Sequence, residues 1–131
     1  MKNLFKDGEK KVFKRLVRKE DVAKFESGEV HPFYATFALG RDAEWAGRLF
    51  VLEMLDEDEE GIGTFLTVKH VSPALVGQEV EIIAEITELE GRKINCSFEA
   101  KVGERLIATG TTGQMILKKT KVNEIEEKAN G

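Results

Sequence analysis

The chain has 131 residues, 41% of them hydrophobic and 34% charged, with a formal net charge of −4. That length and apolar content describe one folded domain with a real core, not a disordered segment. The acidic balance gives nucleic-acid binding no electrostatic support, and no stretch approaches the ~20 apolar residues of a membrane span.

In chain order, the N-terminal stretch is charged throughout and lacks the apolar run of a signal peptide. Residues 9–18, EKKVFKRLVR, read as a strand. Glu9, Glu20 and Asp21 interrupt or follow its basic run, which makes it a solvated strand edge and not a phosphate-binding arm. A short helical turn is predicted near Glu20 to Phe25, then a loop containing SGEVHPFYAT. The longest helical pattern runs from Asp42 to Met54 or Leu55, with Asp42 as candidate N-cap after Gly40. Its apolar positions, among them Ala43, Trp45, Ala46, Leu49, Phe50 and Val51, lie nearly all round it, so the helix is expected to be buried with Trp45 in the core. DEDEEG then reads as an acidic loop facing solvent.

Beyond Gly61 the period changes to two. Thr64, Leu66, Val68 and His70 share one face of a strand, which places one of only two histidines beside apolar side chains. Val80, Ile82, Ala84 and Ile86 alternate with polar neighbours, and LEGRK makes a tight turn on Glu90-Gly91. Ile94, Cys96, Phe98, Ala100 and Val102 form the next alternating face, and Leu106 to Leu117 reads as the last strand. Residues 1–118 are expected to form a single domain and residues 119–131 a charged tail. Strand, one apolar helix, then four consecutive antiparallel strands is an α+β pattern. It predicts a hot-dog fold, a curved antiparallel β-sheet wrapped around one long central helix. Such a sheet leaves edge strands that favour a homodimer by sheet continuation.

Cys96 is the only cysteine, so no intrachain disulfide is possible and a reducing, cytoplasmic setting is expected. His31 and His70 are far apart in sequence, and no Cys-x-x-Cys, His-Glu-x-x-His or calcium-loop spacing occurs. Nor is there a Gly-x-Gly-x-x-Gly or phosphate loop, so neither a metal nor a cofactor is expected.

From about Tyr34 to Leu117 the chain resembles the fluoroacetyl-CoA thioesterase-like family of hot-dog proteins. The resemblance rests on the order and spacing of AT before the helix, AEWA within it, GT and H in the next strand, PALVG after it, EGRK in the hairpin and GTTGQM near the end. It implies hydrolysis of a small acyl thioester of coenzyme A at a site on a dimer interface. It also implies that Thr36, Glu44 and His70 are the catalytic residues, and that the Gly63 N–H faces the thioester. Two departures stand out. The family's basic residue on the last strand is Gln114 here, and a glutamine cannot replace that charge. KFESGEVHPFY shows no counterpart of the phenylalanine-bearing lid, so fluoroacetyl specificity is not implied.

The chemistry suits these residue types. Thioester hydrolysis needs an attacking oxygen, a proton acceptor and oxyanion donors. His70 can act as base and then acid. Glu44 could orient the imidazolium or attack the carbonyl, and Thr36 could place water or attack with His70 as base. Duller roles exist for each: a core histidine, a helix-start acid, a turn threonine and a glycine needed only for close approach. Gln114 could point into the site as a neutral hydrogen-bonding group. His31, before Pro32, reads as structural or exposed, and Cys96 as a buried thiol and not a nucleophile. The leading rival is a non-catalytic hot-dog module that binds an acyl-CoA, kept alive by Gln114. A hydratase ranks lower, because GRDAEWAGRLF has no histidine.

Overall fold

The computed structural model describes all 131 residues. Strand β1 (Lys10–Leu16) is followed by a single 3₁₀ turn, then β2 (Val22–Phe25) and β3 (Gly28–Tyr34). Helix α1 (Thr36–Met54) leads into β4 (Glu59–His70), β5 (Glu79–Glu90), β6 (Lys93–Val102), β7 (Arg105–Lys118) and helix α2 (Lys119–Asn130). Five strands make one antiparallel sheet in the order β1-β5-β6-β7-β4, while β2 and β3 form a separate hairpin.

Good helix formers without proline or a β-branched run favour the 19 residues of α1. Leu39, Ala43, Ala46, Phe50 and Met54 recur at spacings of three and four, and all are buried. Opposite them, Val80, Ile82, Ala84 and Ile86 of β5 and Ile94, Cys96, Phe98 and Ala100 of β6 point inward at period two. Gly91 and Gly103, each with φ +58°, turn β5 into β6 and β6 into β7, a conformation that other residues adopt at a cost. The sheet curls around α1, which touches all five of its strands. This is the hot-dog architecture. Phe50 is fully buried, and its truncation to alanine would cost about 3–5 kcal/mol.

Several local expectations are corrected. The helix starts at Thr36, six residues before Asp42, with Ala35 as its extended N-cap. Asp42 is instead 1% exposed inside the helix, where Arg15, Arg41 and the Tyr34 hydroxyl donate to it. Trp45 is 41% exposed, because the sheet covers only one side of α1. The segment read as a helical turn and loop is largely the β2–β3 hairpin, and Pro32 is tolerated there at an irregularity in the pairing, where no residue of β2 is its partner. Strand β4 begins at Glu59, so the acidic loop is shorter than it reads. Glu59 is buried and paired with Arg92. Helix α2 carries no buried residue and meets the sheet where the Lys119 N–H donates to the Asp58 carbonyl. No helix is long and apolar enough to cross a membrane.

Strand β4 lies at the sheet edge, and Gly63 to Thr67 are all exposed. Its pairing with β7 shifts between Gly63 and Phe65, leaving Thr64 as a bulge. The bulge changes the strand's phase. Gly61, Gly63, Leu66 and Val68 therefore meet α1 or its glycines, although Gly63 and Leu66 differ in parity.

Candidate functional site

Thr36 opens α1 and His70 closes β4. Their side chains meet at 3.2 Å, Thr36 Oγ1 to His70 Nδ1. The other ring nitrogen, Nε2, is buried and has no hydrogen-bond partner. Burial first, then the nearby charge of His31, holds His70 below its ordinary pKa, which keeps the ring neutral and basic near pH 7. The first-turn N–H groups of α1 around Thr36 have no acceptor one turn back, so unpaired donors and the positive end of the helix lie beside this pair.

Glu44 lies elsewhere, more than two turns into α1. Its carboxylate packs on Gly63 so closely that a Cβ there would lie 2.2 Å from Oε1. Gln114, buried on β7 and paired with Gly63, donates from Nε2 to the Glu44 carbonyl at 3.4 Å. Thr112 and Cys96 sit behind Gly47, where a Cβ would lie 2.8 Å from Thr112 Oγ1. Burial raises the Cys96 thiol to about 11, so it is no nucleophile.

The five residues singled out in the sequence thus fall into two clusters within one chain. Thr36 meets His70, and Glu44 meets Gly63 and Gln114. The seven residue steps of strand from Gly63 to His70 span ~23 Å, and the eight steps of helix from Thr36 to Glu44 span ~12 Å. The spacing that separates them was present in the sequence.

A buried charge cluster fixes the start of α1. Asp42 accepts from Arg15 of β1, Arg41 and Tyr34, while Asp21 accepts from Arg18 and Arg41. Burial opposes ionisation most strongly, yet the guanidinium groups and the Tyr34 hydroxyl hold Asp42 below the usual carboxylate range. Burial and the Asp42 charge push the Tyr34 phenol up. The Ala35 N–H donates to the Asp21 carbonyl, so the residue before Thr36 is tied to the same cluster.

Two cavities share Thr36 and His31 as walls. The smaller, about 290 Å³, is mixed, with His70 and Ser72 beside Phe33, Val71 and Pro73. The larger, about 500 Å³, is lined mainly by Phe25, Phe37, Leu66 and Val68. His31 is thus a wall of both and not a bystander. The Phe33 N–H donates to its Nδ1 at 3.2 Å, so in the neutral ring the proton sits on Nε2, which is left as a donor. Reading residues 28–34 as a strand would have revealed this, because Glu29, His31 and Phe33 then share a face. The hairpin also places an aromatic ring, Phe25, in the wall of the larger cavity, a contribution that the sequence did not display. No group of three or more His, Cys, Asp or Glu side chains is arranged to hold a metal ion.

The sequence model of the fluoroacetyl-CoA-specific thioesterase family matches residues 17–120. The chain belongs to that family. Its members are thioesterases, so acyl-CoA thioester hydrolysis is the chemistry to which this site is related. The fluoroacetyl-CoA thioesterase of Streptantibioticus cattleyicolor is 30% identical over 101 residues, 75% of this chain and 73% of that one. A thioesterase superfamily member from Thermus thermophilus is 35% identical with a TM-score of 0.92, covering 98% of this chain and 96% of its own. A mutant of the fluoroacetyl-CoA-specific thioesterase FlK in complex with fluoroacetate and CoA shares the fold at 23% identity and a TM-score of 0.83, covering 90% and 99%.

Proposed function

We propose that the protein is a homodimeric acyl-CoA thioesterase whose active sites each draw on both protomers. Thr36 and His70 of one protomer face Glu44, Gly63 and Gln114 of its partner. The observation that carries this reading is His70, with Nδ1 held by Thr36, Nε2 buried without a partner, and a cavity beside it. A buried polar atom with nothing to bond costs roughly 1–3 kcal/mol, a strain expected where a reacting molecule completes the site. The dimer reading is supported by the exposed edge of β4 and by the split of the five residues. Two β4 strands paired antiparallel about a two-fold near Leu66 and Thr67 bring Gly63 of one chain alongside the region of the partner's His70. Pairing removes the exposed edge at the same time.

In the proposed reaction, neutral His70 takes a proton from a water held by Thr36, and the water oxygen bonds to the thioester carbon. The negative charge that develops on the carbonyl oxygen is met by N–H groups, from Gly63 of the partner or the first turn of α1. The C–S bond then breaks, and the imidazolium returns its proton to the leaving sulfur, giving free acid and coenzyme A. Glu44 of the partner orients the water and stabilises the imidazolium. Gln114 holds the Glu44 segment of the helix by a neutral bond instead of supplying a positive charge. That neutrality favours one second reading, a module that binds acyl-CoA without turning it over.

Thiol release from acyl-CoA substrates, measured with wild type, His70→Ala and Glu44→Gln, tests the chemistry. Mixing the two inactive variants tests the sharing. A hybrid dimer has one doubly damaged site and one intact site only when the pair is split between protomers. Random exchange should then restore about a quarter of wild-type activity. No recovery from hybrids that demonstrably form would place both residues in one protomer's site.

A further inference from the structure

The two cavities that meet at Thr36 and His31 differ in chemistry, and that difference bears on the substrate. It rests on the thioesterase reading above and asks which acyl group the site takes. A thioester bound with its carbonyl at Thr36 and His70 sends out two arms, the acyl group and the pantetheine. Pantetheine carries two amides, which need partners when they leave water. The smaller cavity offers His31, Thr36, His70 and Ser72, so its polar wall suits that arm. The larger cavity offers Phe25, Phe37, Leu66 and Val68, with His31 and Thr36 as its only polar side chains, and an amide placed against its apolar wall would be unpaired.

We infer that the apolar cavity of about 500 Å³ is the acyl pocket, and that the substrate class is a CoA thioester of a medium-length aliphatic or an aromatic acyl group. An acetyl or fluoroacetyl group would leave most of that volume unfilled and forgo the contacts of its lining. Filling it with methylenes gains roughly fourfold in affinity per buried CH₂ until the pocket is full. Phe25 lines the pocket from the β2–β3 hairpin and Val68 lines it from β4, so the acyl chain is held between two separate elements.

The test is equilibrium binding of non-hydrolysable S-ethyl-, S-hexyl-, S-octyl- and S-phenethyl-CoA thioethers to wild type, Phe25→Ala and Val68→Phe, beside turnover of the matching acyl-CoAs. The octyl or phenethyl thioether should bind at least about 100-fold more tightly than the ethyl. Phe25→Ala and Val68→Phe should each shrink that ratio by about tenfold, the first by removing part of its apolar wall and the second by filling it. A ratio within one variant cancels any loss of folded protein. A flat profile, a preference for the ethyl compound, or ratios untouched by both substitutions overturns the inference. Turnover answers separately: chain-length selection in binding without thiol release would sink the catalytic reading and leave the pocket assignment standing.

Discussion

Replacing Gly63 by alanine separates the position of Glu44 from the stability of the fold. The added Cβ would lie 2.2 Å from Glu44 Oε1, whereas real Cβ atoms essentially never come closer than 3.0 Å to a neighbour. Something must therefore move by about 0.8 Å or more, the difference between those distances. The nearest atom is the far end of a flexible, half-buried side chain, and Gly63 is not among the glycines with positive φ, so the carboxylate yields and not the strand. A displacement near 1 Å at a reacting centre costs about 100-fold in rate. Gly63→Ala should therefore lower kcat/KM for the best acyl-CoA by about two orders of magnitude. The thermal midpoint should stay within about 3 °C, because no core contact is lost. Thiol release and a melting curve on the same preparation read both quantities. Activity within threefold of wild type at an unchanged midpoint would refute the argument, since Glu44 would then have no need of its place against Gly63. A large fall in the midpoint would show that the contact is packing instead.

Other expectations follow from the same geometry. His70→Ala should reduce turnover at least about 100-fold while leaving the midpoint nearly unchanged, and turnover near the wild-type rate would remove His70 from the chemistry. Because the His70 pKa is lowered, the activity set by its basic form should be flat at neutral pH and fall only below its ordinary value near 6.5. The stability sign agrees. The unfolded chain binds the His70 proton first, so this residue makes stability fall as pH drops from about 6.5 to the folded pKa. An acid limb above 6.5 that vanishes in His70→Ala would contradict the lowered value. Leu66→Asp, a charge at the exposed edge of β4, should yield monomers by light scattering and abolish activity, whereas an active monomer would refute the shared site. Tyr34→Phe removes one of the donors to buried Asp42 and should cost about 1–2 kcal/mol of stability in denaturant unfolding.

The fold was legible because its signals are local and periodic. The alternation of Val80 to Ile86 and of Ile94 to Ala100, and the apolar positions of the helix from Ala43 to Met54, are each written within a dozen or so residues. What was misread depends on distant partners. Asp42 after Gly40 looks like a helix cap, and only Arg15 and Tyr34, brought in by other elements, show why a carboxylate can be buried there. Pro32 argued for a loop, yet it falls at an irregularity in the β2–β3 pairing, where no ladder partner faces it. The bulge at Thr64 is invisible to a period-two reading, and it brings Gly63 to the same side as Leu66 and Val68. The residues of the candidate site were found through the resemblance. Their division into two clusters follows from strand and helix rise alone, and its consequence for assembly needed the edge position of β4.

The single cysteine adds a practical consequence. Cys96 is 2% exposed in the core, with its thiol raised to about 11, so an aromatic disulfide reagent meets no accessible thiolate on the folded protein. Colour formed in a coenzyme A release assay therefore reports product without a background from the catalyst. With substrate left out, the same reagent reacts only as fast as the core around Cys96 opens. One chromophore thus serves as a turnover meter in one cuvette and as a clock for transient unfolding in the next.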